Sequence, residues 1–407
     1  MKIAVIHNSG SVGSWRWVCA VFGAIKKYYP DTEITVFYKR GLGCPRDMID
    51  VMRQLGLSVC DKFSFSASVF KKYTKIRLID KPLNMIRRVI DNKHHRKFLD
   101  MLNNNFDIAF NSWPFTMSAE RLDIPYLFIP HDFIFTHYFG HHVGNAYNRT
   151  WWKSLRNILR KYLEKGCIPC VTTNYIGDEL RRTVPEYTGP IHQVLIVPSD
   201  NMKAQSVDVV SNVMKKFGIN YEYILLATND MHHKNSQAAL TAYYYVKQKY
   251  PELKMVIIGY GTDGVRVKMN CPYYADHVDD DEDYDIQSLG LVTDQELNAL
   301  IQNAKVLLNV SLCEAGCGSG QDAWVLGIPT AISDIPPYKE QVETLGVKTE
   351  FFNPKNSEDI AASLLRLLDN PKYAKENAKM SQKALRTQYT EKDMADKYMA
   401  VFQKYVK

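Results

Sequence analysis

No stretch of about 18 consecutive apolar residues occurs in this chain of 407 residues, so the sequence predicts no membrane-spanning helix. The N-terminus also lacks the apolar run and small-residue cleavage site of a signal peptide. Lys2 leads directly into a short apolar strand, Ile3–Ile6. The reading is a cytoplasmic chain. Zinc-type cysteine spacing is missing too. The 8 cysteines are scattered, and Cys167-Ile-Pro-Cys170 is a lone CxxC with no second pair to complete four ligands. It lies in an apolar run and reads as reduced core thiols. His131, His137, His141 and His142 offer no helical His-x3-His beside an acid, so no metal site is expected. Asp279-Asp-Asp-Glu-Asp283 contains a DxD, a metal-holding pattern elsewhere, but reads here as a solvated loop. Asn148-Arg-Thr150 matches a glycosylation acceptor, which a cytoplasmic chain would not use.

What is present is a soluble globular composition, 46% hydrophobic and 23% charged, long enough for two domains. The net charge of +7 is uneven. Residues 1–200 carry 28 Lys and Arg against 17 Asp and Glu; the remainder carries 23 against 27. A basic first half points to an anionic partner there, and no nucleic-acid module is visible. Two basic segments interleave charge with apolar residues: 71–97 and Trp151–Lys165. Each reads either as a solvated helix with a core stripe or as a contact with an anionic membrane surface or a lipid-linked acceptor.

Short apolar runs alternate with helical patterns, which argues for parallel α/β sheets. Strands are expected at Ile3–His7, Glu33–Tyr38, Phe106–Asn111, Tyr126–Pro130, Ile168–Thr173 and Gln193–Val197. A polar break, Pro198–Gln205, separates these from a second set: Tyr223–Ala227, Lys254–Gly259, Leu289–Val292 and Val306–Val310. The domains expected are 1–200, 206–385 and a final helical segment, 386–407. The first strand runs into a glycine-containing loop, His7–Ser14, before a helix expected at Trp17–Lys27. Tight turning explains that loop about as well as ligand binding does.

The chemistry concentrates in Val306–Glu340. A buried strand feeds a glycine-rich loop, Ala315–Gly320, and then a helix expected to open near Gln321. Amides at a helix N-terminus, helped by the helix dipole, cradle anions. Gly316, Gly318 and Gly320 are expected to let a ligand approach the backbone. Glu314 and Asp322 flank this cradle with seven residues between them. Carboxylates repel phosphate but suit hydroxyls. The ligand implied is therefore a diphosphate with a polyol at each end, such as a nucleotide sugar.

This stretch resembles the signature of retaining glycosyltransferases of the GT4 type, whose E-x7-E pattern stands here as Glu314-x7-Asp322. The likeness continues through Gly327-Ile-Pro-Thr330, Ser333-Asp334, Glu340, Phe352-Asn-Pro354, Glu358-Asp-Ile360 and Leu367-Leu-Asp-Asn370. It is specific over about 224–371 and weak before that. The resemblance implies a GT-B architecture: two Rossmann-like domains facing each other across a cleft, with the last helix crossing back to the first. The first would bind the acceptor and the second the nucleotide sugar. It also implies site roles. Catalytic contacts with the sugar fall to His131, within His131-Asp132, and to Glu314. Donor contacts fall to Gly13, Lys234, Val292, Glu314, Gly316, Cys317, Gly318, Ser319, Gly320 and Asp322, with Asp322 on the ribose. Gly10, Trp15 and Arg16 lie on the acceptor side. The base would sit at Leu291-Val292 after Gly290, held by backbone. The family's diphosphate arginine falls on Asn229, which is uncharged, so one cation is missing; His233, Arg16 or the helix dipole could compensate. Cys313 and Cys317 read as packing and loop backbone.

The reading is a retaining, metal-independent hexosyltransferase that needs no cofactor. It would use a GDP- or UDP-sugar and a glycan, glycoconjugate or lipid-linked acceptor. Alternatives are a catalytically weak nucleotide-sugar-binding protein, which the Asn229 and Asp322 departures favour, or another enzyme on the same architecture, such as a nucleotide-sugar epimerase.

Overall fold

The computed structural model describes residues 1–9, 12–38, 46–62, 93–116, 122–137, 149–198, 202–229, 231–262 and 285–406. The expectations for Gly10, for 71–92, for His141, His142 and Asn148, and for Asp279–Asp283 lie outside them, as do the side chains of Trp151 and Trp152. The chain divides into two compact units. One comprises Met1–His131, Arg149–Ser199 and Glu391–Lys407; the other comprises Asp132–Asn148 and Asp200–Thr390.

The first unit is built on seven parallel strands: β1 (Lys2–Ile6), β2 (Glu33–Phe37), β3 (Ser58–Cys60), β4 (Ile108–Asn111), β5 (Tyr126–Phe128), β6 (Ile168–Val171) and β7 (His192–Gln193). Their spatial order is β3-β2-β1-β4-β5-β6-β7. β1 is central because Ile3, Ala4, Val5 and Ile6 are all apolar and fully buried, which only a sheet covered on both faces allows. Ile3 pairs with Ile34 on one side and Ile108 on the other. The order reverses between β1 and β4. Ligand crevices of such sheets open outside the carboxyl ends of the strands at that reversal. His7 and Ser112 stand there.

The second unit carries β8 (Tyr223–Ala227), β9 (Lys254–Ile258), β10 (Ile286–Ser288), β11 (Val306–Asn309), β12 (Thr330–Ser333) and β13 (Glu350–Phe352), all parallel, in the order β10-β9-β8-β11-β12-β13. Two apolar layers cover the sheet. One centres on Ala239, Tyr243, Val246 and Leu364, the other on Val213, Leu300, Ile301 and Ala323. The reversal lies between β8 and β11, so the loops after Ala227 and Asn309 are the ones expected to meet a ligand.

The strand expected at Leu289–Val292 lies earlier, at Ile286–Ser288. Leu289 still donates to Ile257 O at 2.9 Å, but Gly290 then turns left-handed at φ 66° and leaves Leu291 61% exposed. β3, β12 and β13 were not expected at all. The first helix begins at Val12, five residues early, so Gly13, Ser14, Trp15 and Arg16 are helical. The basic helix Arg149–Glu164 buries Leu155, Leu159, Tyr162 and Leu163, so its apolar stripe is used by the core. No helix among the described residues is long and apolar enough to cross a membrane. Cys167 and Cys170 are buried free thiols on or beside β6.

The last helix, Glu391–Tyr405, belongs to the first unit and lies on the Val12–Tyr28 helix. Met394, Tyr398 and Phe402 are fully buried, and Tyr398 and Phe402 meet Phe110 of β4 with ring centroids 6.2 and 6.1 Å apart. Tyr29 donates to Asp396 at 2.8 Å, and Lys27 pairs with Glu391 at 2.6 Å. Phe402→Ala should therefore destabilise the first unit by about 3–5 kcal/mol, read as a drop in its urea midpoint. A loss below about 1 kcal/mol would mean that the helix is only loosely attached.

Candidate functional site

At the reversal in the second unit, one side chain organises the loop after β11. Asn309 accepts from Ser311 N at 3.2 Å and from the Tyr338 hydroxyl at 3.1 Å, and its Nδ2 donates to Ser319 Oγ at 2.9 Å. Gln341 accepts the amide of Cys317 at 2.6 Å. Tyr338 and Gln341 lie on the Pro336–Leu345 helix and are buried. The loop is thereby fixed to the strand before it, the helix after it and a helix beyond. Four polar side chains do what glycine richness alone would not.

The loop after β8 is tied to the same place. Asn235 takes a left-handed conformation, φ 53°, and its Nδ2 donates to Val310 O at 3.2 Å and Pro354 O at 2.7 Å. Leu312 N donates to His233 O at 2.7 Å. These bonds set the His232–Lys234 turn against Glu314. Lys234 Nζ lies 2.5 Å from Glu314 Oε1, and His233 Nε2 lies 3.7 Å from the same oxygen. All three side chains are mostly removed from water, at 22%, 6% and 15% exposure for Lys234, His233 and Glu314. Burial opposes ionisation of Glu314. Lys234, His233 and a hydrogen bond from Ser311 outweigh it and hold the carboxyl below its usual range. Burial pushes His233 down to about 4, against the pull of Glu314, so it is neutral at pH 7. Asp132, of the same unit, is pushed up to about 6 by burial and by Glu314.

The other expected donor residues divide. The helix opens at Gly318, three residues before Gln321, so Gly318, Ser319 and Gly320 form its first turn and their amides lack partners four residues back. A Cβ on Gly318 would meet nothing within 4 Å. Gly320 and Gly316 serve internal packing instead. A Cβ on Gly320 would stand 2.6 Å from Cys317 Sγ, and one on Gly316 would stand 3.3 Å from Gln341 Oε1. Cys317, expected to offer its amide to the donor, is fully buried with that amide taken by Gln341. Its thiol is pushed up to about 12 by burial and is not a thiolate. Asp322 lies one turn into the helix, half-buried. Asn229 turns back on its own loop, accepting from Met231 N at 3.0 Å. Val292 is half-buried against the sheet's second apolar layer, beside exposed Leu291. Gly259, at the end of β9, has φ 130° and would bring a Cβ within 1.7 Å of Thr228 O, so only glycine fits there.

In the first unit the reversal is occupied by two histidines. Ser112 Oγ donates to Ile6 O at 3.1 Å, so His7 Nδ1 donates to Ser112 Oγ at 2.8 Å and His7 Nε2 accepts from Ser14 at 3.2 Å. Burial, then His131, pushes His7 down to about 3. His131 follows β5 with φ 48°, a conformation rare outside glycine. Its Nε2 donates to Ser112 O at 2.5 Å, leaving Nδ1 as an acceptor, and burial pushes its pKa down to about 4. Trp17 and Trp113 flank the ring at 5.5 and 5.0 Å. Trp15, expected on the acceptor side, lies in the core instead: it is 1% exposed, donates to Ser9 O at 3.0 Å and packs edge-on to His7 at 4.2 Å. Gly13 is exposed and Arg16 half-buried on the same helix. Ser112 and Asn309 were not singled out from sequence. Each is a polar residue at the end of an apolar strand, and that is the signal that could have found them.

Residues 211–387 match the family model of glycosyl transferases group 1. No curated protein matches the chain significantly. Among solved structures, HepE of Anabaena in complex with UDP-glucose is similar at a TM-score of 0.69 and 12% identity, covering 99% of this chain and 100% of that one. Sucrose-phosphate synthase of Thermosynechococcus elongatus follows at 0.70 and 12%, covering 99% and 98%. WaaG, a glycosyltransferase involved in lipopolysaccharide biosynthesis, matches at 0.63 and 11%, covering 100% and 99%. The fold is the GT-B architecture, with two Rossmann-like units.

His7, His131 and His233 are neutral when folded and protonate near pH 6.5 when unfolded. Their stabilisation is complete above about pH 6.5 and is lost as pH falls towards 4 and below. In that window, the slope of unfolding free energy against pH should fall by about 1.4 kcal/mol per pH unit in His7→Asn, which keeps a donor at the Nδ1 position. An unchanged slope would mean that His7 is already charged in the folded protein.

Proposed function

We propose that the protein is a glycosyltransferase that moves a hexosyl group from a nucleoside diphosphate sugar to a hydroxyl acceptor. The observation that carries this is the Lys234–Glu314 pair, an ammonium and a carboxylate 2.5 Å apart, set at the opening of the Gly318–Leu326 helix. A diphosphate needs the cation and the helix amides; a sugar needs the acid. The match of residues 211–387 to group 1 glycosyl transferases and the UDP-glucose in the HepE structure support a UDP-hexose as donor.

In this reading the second unit binds the donor. Lys234 and the amides of Gly318 and Ser319 hold the diphosphate, Glu314 takes sugar hydroxyls, and Asp322 takes the ribose hydroxyls. Breaking the anomeric C–O bond leaves positive charge on the sugar and negative charge on the phosphate. Fixed donors aimed at the phosphate lower the barrier without reorganising. The acceptor oxygen bonds to C1 on the face the phosphate leaves, and the departing phosphate oxygen takes the acceptor proton. Configuration is retained, and no step needs a metal. His131, with Nδ1 free of a proton, is assigned as an acceptor for a sugar hydroxyl. The first unit is assigned the acceptor, a glycan or glycoconjugate.

A slower, donor-binding protein is the second reading. It is favoured by Asn229, whose side chain is tied to Met231 N and carries no charge toward a phosphate.

With UDP-glucose as donor, Lys234→Ala and Glu314→Ala should each lower kcat/KM for transfer or donor hydrolysis by about 100- to 1000-fold, and NMR of the product should show the donor's anomeric configuration. Donor binding without turnover in the wild type would select the second reading. An inverted product would contradict front-face transfer.

A further inference from the structure

The His232–Lys234 turn brings two basic side chains to Glu314, and the mechanism above uses one. His233 is the more buried of the two, at 6% exposure against 22% for Lys234. Its Nε2 faces Glu314 Oε1 at 3.7 Å, and its Nδ1 is buried with no hydrogen-bond partner among the described residues. The imidazole cannot easily swing away. Its own carbonyl accepts from Leu312 N, and the next residue but one, Asn235, is clamped to Val310 and Pro354. An unsatisfied polar nitrogen in so fixed a place is costly unless a ligand or a proton changes its surroundings.

The groups that act on this ring are few. Glu314, from the loop after β11, attracts its charged form; Lys234 and exposed His232, on its own turn, repel it. Asp132 acts on the cluster through Glu314 and Lys234. As the side chains stand, Lys234 neutralises Glu314, and burial keeps the ring uncharged. A diphosphate that draws Lys234 to itself changes both conditions. Glu314 loses its ammonium, leaving His233 as the nearest base, and negative phosphate charge arrives beside the same turn. Both changes favour the imidazolium.

We infer that His233 is a second cation of this site, taking up one proton from solvent when the diphosphate of a sugar nucleotide binds. The inference rests on the donor reading above and adds a titratable group to it. No covalent bond changes; the proton comes from water and returns when the nucleotide leaves. Donor affinity then depends on pH although the donor's own phosphate charge is constant near neutrality.

The test is calorimetry of UDP-glucose binding near pH 7.5 in buffers of different ionisation enthalpy. The expected result is uptake of about one proton per donor bound, with affinity falling up to about tenfold per pH unit on the alkaline side. His233→Gln should bind more weakly, with no uptake and no pH dependence, whereas His232→Gln should keep both. Binding by the wild type without proton uptake would overturn the inference and leave the donor reading standing. Uptake that persists in His233→Gln would also overturn it, by moving the proton to Glu314 or Asp132. A folded wild type that binds neither UDP-glucose nor UDP would overturn the donor reading and the inference with it.

Discussion

The site depends on an ion pair removed from water. A carboxylate at 15% exposure is unfavourable unless it is paired and hydrogen-bonded. Glu314 has Lys234 at 2.5 Å, a hydrogen bond from Ser311 and His233 at 3.7 Å. Removing Lys234 would leave a buried charge; replacing both partners with apolar groups would not. The pair is therefore weak evidence for stability and stronger evidence for use. The two groups that neutralise each other here are the two that a sugar diphosphate would separate, the lysine toward phosphate and the acid toward hydroxyls.

The fold places this pair by a simple rule. In each unit the strand order reverses beside the central strand, and polar residues gather at the carboxyl ends there. In the second unit the loops after β8 and β11 meet and are joined by the Leu312–His233 backbone bond and the Asn235 side chain. In the first unit Ser112, after β4, joins His7 after β1 to His131 after β5. The apolar strands fix where these residues stand, and the buried hydrogen bonds fix how they are turned.

Much of this was legible in the sequence, for identifiable reasons. β1, β8 and β11 are unbroken apolar runs buried on both faces, so they announced themselves. Lys234 and Glu314 stand out in the sequence through the resemblance, Glu314 in the E-x7-E pattern and Lys234 at its lysine position, and the structure sets them 2.5 Å apart. Short strands were legible only in part: β3 and β13, of three residues each, and four-residue β12 were not expected, whereas β5, also of three, lies inside the apolar run Tyr126–Pro130. Helix starts were placed late at both glycine loops, because Gly13 and Gly318 look like loop residues although each sits in a first turn. Trp15, placed on the acceptor side by the resemblance, is buried with its indole filling the space beside His7, which its position next to a glycine loop does not announce. Gln341 and Tyr338 could not be read at all, since their role arises from bonds to Cys317 and Asn309, 24 and 29 residues away in sequence.

The most direct test of the account is a crystal structure with UDP-glucose bound. The account predicts that Lys234 Nζ leaves Glu314 for the diphosphate, that Glu314 contacts hydroxyls of the sugar, and that the phosphate oxygens meet the amides of Gly318 and Ser319. A complex in which the donor lies elsewhere while Lys234 and Glu314 remain paired at 2.5 Å would contradict it.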